Sequence, residues 1–457
     1  MLTELVDLTD LVDALPEGTV VRDADVIEGY RADMASLVPP GTPVAVVRPR
    51  TTEAVSACLA WASRTGTTVV PRGAGTGLSG GATARDDCIV VSLERMDRIR
   101  EVDPANHTVV VEAGVVNAEV SRAVAEHGLF YPPDPGSFEV STIGGNLATN
   151  AGGMRCVKYG VTRQSVLGLE VVLADGRVLT TGGRTLKDSA GLDLTQLMIG
   201  SEGTLGIITS ASLRVRPLPE STATFVATFP TLDHGGAALA AICASDMTPS
   251  VLEVLDRATV NAVEDHQRMD LDRGTALLLI GQTDGHRSAE DADRLVALCE
   301  EAGASMALAT SDPEDGQRLM HARRLAGWVV MERGATVVED VAVPRTRLLQ
   351  MLQRVEQIGE ELGLEICTVG HAGDGNLHPM LCLPDLGPES QDLGLRAADR
   401  ICQAAIALGG TVTGEHGVGE LKRGMLHQQL SETSLSVQAA IKSALDPDGI
   451  LNPGRGW

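Results

Sequence analysis

The stretch from Pro71 to Ala82 reads PRGAGTGLSGGA and carries glycine at positions 73, 75, 77, 80 and 81. Glycine takes positive φ without steric cost and lets main chain approach a bound group closely. A run this dense therefore predicts a loop whose N–H groups face an anion such as a diphosphate. Gly75, Gly77 and Gly80 also satisfy G-x-G-x-x-G after the expected strand Thr67 to Arg72. A Rossmann fingerprint must open a helix, whereas Thr83 to Asp87 are mostly short and polar and lead into CIVVSL over 88–93, which reads as a buried strand. The expected arrangement is a phosphate cradle between strands, with a glycine turn that binds nothing as the alternative.

Hydrophobic residues make up 43% of the 457-residue chain, which is enough for globular cores, and the length calls for two or three domains. The formal net charge of -24 argues against nucleic acid or anionic membrane as a partner, since both need basic surface. Met1 to Glu17 lacks the basic region of a signal peptide, and no apolar run reaches the roughly 18 residues of a membrane span, so a cytoplasmic protein is expected. The eight cysteines are scattered without a C-x-x-C pair, so reduced, mostly buried thiols are expected.

Residues 1–37 read as a helical lead-in without chemistry. The first compact unit, 38–218, opens with a strand at Pro43 to Pro49 and a helix capped by Thr51 or Thr52. A hairpin turns at Asp103 to Asn106, Asn117 caps an amphipathic helix, and a second hairpin turns at Asp175-Gly176. This mixture is α+β patterning. Two further dense stretches follow: Tyr131 to Ser137 with Ser141 to Gly153, and Gly200 to Thr209 with glycine at every third position at its start. Three such stretches in one unit are better explained by one large ligand than by three unrelated loops. Beyond Arg216 to Glu220, residues 219–457 form a second unit. Its strands at 222–229, 251–255 and 276–282 and helices at 232–245 and 289–301 give a ferredoxin-like order. A helix over 315–333, a strand over 337–343, a helix over 344–362 and a chemically dense tail come next.

Together with the tail motifs HAGDGNLH over 371–378, TGEHGVG over 413–419 and DPDGILNPG over 446–454, the chain resembles the FAD-linked oxidoreductases of the vanillyl-alcohol oxidase (PCMH-type) fold. Within them it is similar to the branch of the glycolate oxidase flavin subunit, D-lactate dehydrogenase and D-2-hydroxyglutarate dehydrogenase. The resemblance implies a two-part FAD-binding domain, an antiparallel-sheet substrate domain, and a C-terminal helical segment returning to the flavin. It places the diphosphate on Arg72, Gly73, Ala74, Gly75, Thr76, Gly77, Ser79 and Gly80. The remaining flavin contacts fall on Pro133, Asp134, Ser137, Ser141, Thr142, Gly144, Gly145, Asn146, Thr149, Gly152, Glu202, Gly203, Ile207, Ile208 and Asn452. Because 71–82 contains no histidine for covalent attachment, noncovalent FAD is expected. The resemblance also makes His371, His378 and Glu415 ligands of a divalent metal, His416 the general base, and Arg323 the grip on a substrate carboxylate. The D-2-hydroxyglutarate pattern is broken twice: 334–338 holds no lysine, and Met380 stands where an asparagine is expected. Those departures favour a shorter D-2-hydroxy acid, of D-lactate or glycolate type, with a D-2-hydroxyglutarate-type dehydrogenase as the alternative.

The histidine pair also carries a reading of its own. Runs 365–369 and 377–383 read as strands joined through an Asp374-Gly375 turn, and that register makes His371 and His378 direct cross-strand partners with Cβ atoms about 5 Å apart. Zinc, manganese and iron(II) all suit two histidines and a carboxylate. A metal-dependent hydrolase would use those ligands but leave the glycine stretches idle, a flavin-binding module without activity would leave Arg323 idle, and a flavin-dependent alkyl-transfer enzyme fits the tail motif less well. A quinone, cytochrome or partner flavoprotein is the expected electron acceptor, and a homodimer is allowed.

Overall fold

The computed structural model describes residues 6–456 and divides into two compact units. The first contains the chain up to Ala151, Val161–Leu218 and the chain from Glu415; the second contains Gly152–Gly160 and Pro219–Gly414. The first five residues of the expected lead-in lie outside the described residues. No helix among those described is long and apolar enough to cross a membrane.

Beside a two-stranded ribbon of Leu129–Phe130 and Arg216–Pro217, two main sheets build the first unit. In the smaller, the strands run in the order Val20–Val21, Ala45–Val47, Ile89–Ser92, Val69–Arg72, and the last three are mutually parallel. Parallel neighbours need a covered crossover, supplied here by the helix Thr52–Thr65, which Thr51 caps through its hydroxyl and Gly66 ends in the left-handed region. Ala45, Val46 and Val47 are fully buried, as are Ile89, Val90 and Val91, so these strands read as continuous apolar runs. The chain comes back to this sheet 382 residues later, where Leu451 bridges Val69 in parallel. The larger sheet is antiparallel, in the order Ile99–Asp103, Thr108–Glu112, Ile207–Arg214, Val166–Val172, Val178–Gly182. Its outer hairpins turn where expected: Asp103 accepts from the N–H of Asn106, and Gly176 takes a φ of 87°. Asn117 is not a cap. It occupies the first turn of Asn117–Ala125, behind Val116, and its amide donates to the Pro133 carbonyl instead.

One eight-stranded sheet dominates the second unit. Thr222–Phe229, Val251–Asp256, Leu277–Asp284 and Met306–Thr310 are arranged fourth, first, third, second, the ferredoxin-like order. The sequence reading lacked Met306–Thr310, whose MALAT alternation uses small alanines, and the helix Arg257–His266. Beyond Val251–Asp256 the sheet continues through Glu365–His371, Asn376–Cys382 and Thr336–Val338. The single strand expected over 337–343 is broken at Glu339 and Asp340, both buried, and resumes as Val341–Ala342. The helix expected from Pro344 begins as a tighter turn at Arg345–Arg347 and becomes α-helical from Leu348 to Leu362. Gly152–Gly160 joins this unit because Lys158 and the Tyr159 hydroxyl both bind the buried Asp284 carboxylate.

Gly281 lies mid-sheet, and a Cβ there would stand 2.4 Å from the fully buried Phe225 ring and 2.8 Å from the Val251 carbonyl oxygen. Gly327, inside the helix Pro313–Glu332, has nothing within 4 Å of such an atom. Gly281→Ala is expected to destabilise the protein by roughly 1–3 kcal/mol through overpacking. Gly327→Ala should stabilise it by roughly 0.5–1 kcal/mol through reduced chain entropy, so urea-denaturation midpoints of the two variants should move in opposite directions.

Candidate active site

The loop after Val69–Arg72 returns to Ile89–Ser92 without forming a helix, and the two strands lie side by side with Arg72 opposite Ser92. Gly75 and Gly80 have φ of 76° and 81°, conformations that favour glycine. Asp33 braces the loop from outside: its carboxylate accepts from the Ala82 N–H at 3.1 Å and the Thr83 hydroxyl at 2.9 Å. The Met34 N–H adds a bond to the Gly77 carbonyl. The lead-in thus takes part in the site, which its sequence did not announce. Arg455, buried near the C-terminus, donates to the Gly80 carbonyl at 2.7 Å and the Thr83 carbonyl at 3.0 Å. Arg72 is buried as well, and that burial holds its guanidinium below its usual pKa.

The second stretch folds into the helix Ile143–Thr149, with the Thr142 hydroxyl capping the Gly145 N–H. Gly144 is required by packing, since a Cβ would lie 2.7 Å from that of Ala113, whereas at Gly145 it would meet only Thr142 Oγ1, at 3.4 Å. The three stretches touch. A Cβ on Gly73 would fall 2.5 Å from Thr142 Oγ1, one on Gly203 would fall 2.3 Å from Pro71, and the Gly200 and Glu202 N–H groups bond to the Leu147 and Ala148 carbonyls. Ile207 and Ile208 open the buried strand behind them, while Pro133, Asp134 and Ser137 sit in the proline-pinned run before the helix. Gly152, just past the helix, is counted with the second unit.

The tail of the chain closes this arrangement. Asn452 donates through its amide to the Gly81 and Glu202 carbonyls, at 2.9 and 2.8 Å. The buried Glu202 carboxylate accepts the N–H groups of Val418 and Gly419. Burial nevertheless raises its pKa, against the lowering effect of those two bonds. Ser79 donates to the Gly417 carbonyl at 2.9 Å, so Glu415 and His416 precede a turn clamped to the glycine loop. The Glu415 carboxylate and the His416 ring stand 3.8 Å apart. Ser141 Oγ, Asn146 Nδ2 and Asn452 Oδ1 are buried without a hydrogen-bonding partner. Native buried polar atoms are almost always paired, so partnerless atoms on two of the converging segments fit a polar cofactor such as FAD.

In the second unit His371 and His378 share one sheet face, their ring centroids 5.0 Å apart and their planes at 80°. They are not direct partners. His371 pairs with Asn376 and His378 with Val369, so the connection holds four residues, 372–375, and not two. Gly373 explains the longer loop: its N–H bonds to the Leu252 carbonyl on the other neighbouring strand. A register shift of two residues keeps both rings on one face as diagonal neighbours. Behind each ring lies a buried carboxylate. Glu253 meets His371 Nδ1 at 2.8 and 3.0 Å and also accepts from Arg323 Nε at 2.7 Å. Burial opposes its ionisation, but electrostatic attraction to His371 and Arg323 and the hydrogen bonds from both outweigh burial and hold the carboxyl below its usual pKa. Asp340 stands 3.6 Å from His378 Nδ1 and accepts from Asn376, the Thr413 hydroxyl and the Gly414 N–H. With Nδ1–H turned to Glu253, His371 keeps Nε2 as a ligand nitrogen, the support that metal-binding histidines use. The donor set therefore fits a divalent ion. Arg324, beside Arg323, is exposed and bonds back to the Gln317 carbonyl.

Sequence reasoning missed Asp33, Arg455 and Glu253. A signal existed for the last, a lone carboxylate inside the apolar run VLEVL over 251–255.

The family described as FAD linked oxidases, C-terminal domain, matches residues 218–455, and the one described as FAD binding domain matches 43–182. The chain belongs to the FAD-linked oxidases. This FAD-linked oxidase is 41% identical over 417 residues to the glycolate oxidase subunit GlcD of Bacillus subtilis, covering 90% of its own length and 88% of the relative's. It is 36% identical to the D-lactate dehydrogenase of Archaeoglobus fulgidus, covering 90% of each. The solved structure of p-cresol methylhydroxylase shares the fold, with a TM-score of 0.82 at 16% identity over 98% of this chain and 95% of that one. The protein is thus an FAD-dependent oxidoreductase of the PCMH-type fold.

Because the protein alone has room at Gly145, Gly145→Val should fold yet purify with little flavin absorbance, and thermal stability of the flavin-free protein should match that of flavin-stripped parent. Full flavin occupancy in this variant would remove Gly145 from the cofactor site.

Proposed function

We propose that this oxidase converts a small D-2-hydroxy acid of D-lactate or glycolate type to the 2-oxo acid. The observation that carries the reading is the shared sheet face on which His371 and His378 converge, each backed by a buried carboxylate, with Arg323 bound into the same network. The names of its relatives, a glycolate oxidase subunit and D-lactate dehydrogenases, support the same class. Arg323 has committed its Nε to Glu253 and presents its two terminal nitrogens to the substrate carboxylate, a bidentate grip that lysine cannot reproduce. His416 takes the hydroxyl proton as the carbonyl forms. His371, His378 and Glu415 would hold a zinc, manganese or iron(II) ion, and such an ion would lower the pKa of the substrate hydroxyl. FAD, held noncovalently by the glycine stretches, supplies the hydride acceptor. Val338 and Met380 lie directly opposite each other on neighbouring strands, and neither can bind a second carboxylate, which favours a short acid. Electrons then pass to a quinone, cytochrome or partner flavoprotein in the cytoplasm.

Anaerobic mixing with D-lactate or glycolate should bleach the flavin, while D-2-hydroxyglutarate should do so poorly; the reverse preference would overturn the short-acid reading. Acid treatment should release the flavin from the polypeptide. Arg323→Lys should raise KM far more than Arg324→Lys, and equal effects would remove Arg323 from substrate binding. His416→Ala should keep FAD and metal but slow flavin reduction about 10²-fold or more. Glu415→Ala and His378→Ala should lose metal first, as read by elemental analysis.

A further inference from the structure

Glu253 sits in the middle of Val251–Asp256 with its side chain wholly buried. A carboxylate at such depth is costly unless donors surround it, and two do. One is Arg323 Nε, reaching in from the helix Pro313–Glu332, and the other is His371 Nδ1 on the adjoining strand. The sheet register places Glu253 directly opposite His371, so one rung of the sheet sets their contact and no loop intervenes. Asp340 makes an instructive contrast. It lies behind His378 and accepts from Asn376, the Thr413 hydroxyl and the Gly414 N–H, whereas the Arg323 Nε bond goes to Glu253.

We propose that Glu253 is a positioning residue that ties the metal ligand His371 to the substrate-holding Arg323. The inference rests on the roles given to those two residues above. Fixing Nδ1–H selects the tautomer whose Nε2 faces the ion, and the same carboxylate fixes the direction of the guanidinium fork. A 2-hydroxy acid must engage both groups at once through atoms on neighbouring carbons, so errors of an ångström between them are felt in the chemistry. One buried carboxylate holding both removes that freedom.

The test compares E253Q with D340N in the FAD-loaded protein. Glutamine keeps the shape but presents an NH2 to one of two donors, so only one bond survives. Zinc affinity, read by equilibrium dialysis, should fall about 10-fold or more in both variants. Pyruvate affinity in metal-free protein, read by calorimetry, should fall in E253Q and stay near the parent's in D340N. If E253Q folds poorly, E253D shortens the reach, keeps the charge and should give the same two losses. Unchanged zinc and pyruvate affinity in E253Q, or equal pyruvate losses in E253Q and D340N, would overturn the positioning role. Zinc binding that is absent in the parent, or that survives His378→Ala undiminished, would overturn the metal assignment and this inference with it.

Discussion

A loop made of glycine has no side chains with which to hold itself, and the first unit is organised around that deficit. Much of what fixes the 73–82 loop comes from elsewhere in the chain: Asp33 accepts from the Ala82 N–H, Met34 N–H donates to the Gly77 carbonyl, and Ser79 bonds out to the turn at Gly417. Asn452 and Arg455 approach from the far end of the sequence and take the Gly81, Gly80 and Thr83 carbonyls. These bonds satisfy carbonyls on the loop's outer side, and main chain held in this way can meet a ligand without paying again for its own ordering.

The second unit solves a different problem, that of keeping charge inside a sheet. Glu253, Asp340, His371 and His378 occupy strands or strand breaks that also carry buried apolar residues such as Val254, Leu255, Val369, Leu377 and Met380. Each carboxylate is buried, and each is surrounded by donors chosen from neighbouring strands, a helix or the segment ending at Gly414. The polar end of this face gives way within two residues to Val369, Met380 and Cys367, which pack with the helices Arg257–His266 and Pro313–Glu332. Substrate-sized chemistry and ordinary core packing thus share one continuous surface.

Local signals made much of this legible. Thr51 before an apolar-periodic run, the Asp103 and Asp175-Gly176 turns, and the apolar run Ile89 to Val91 each declare themselves within a few residues. The glycine stretches declared a ligand and the absence of a following helix. Failures came where a distant partner overrode the local preference. Asn117 looks like a cap until the Pro133 carbonyl claims its amide, and Asp374-Gly375 looks like a tight turn until Leu252 bonds to Gly373. Asp33 and Arg455 were invisible because their role is to satisfy main chain far away in sequence, which leaves no period or motif behind.

The interleaving of the two units carries a consequence for biosynthesis. Chain passes from the first unit to the second at Gly152, returns at Val161, leaves again at Pro219 and comes back only at Glu415. The sheet position beside Val69 and the carbonyls of Gly80 and Gly81 therefore wait for residues 450–455, which the ribosome makes more than 360 residues later. Pairings of such sequence separation are slow to form and exposed to competition meanwhile. The glycine loop spends translation as an unclasped segment, and the pocket it shapes matures as a late event, after the intervening eight-stranded sheet has had time to fold.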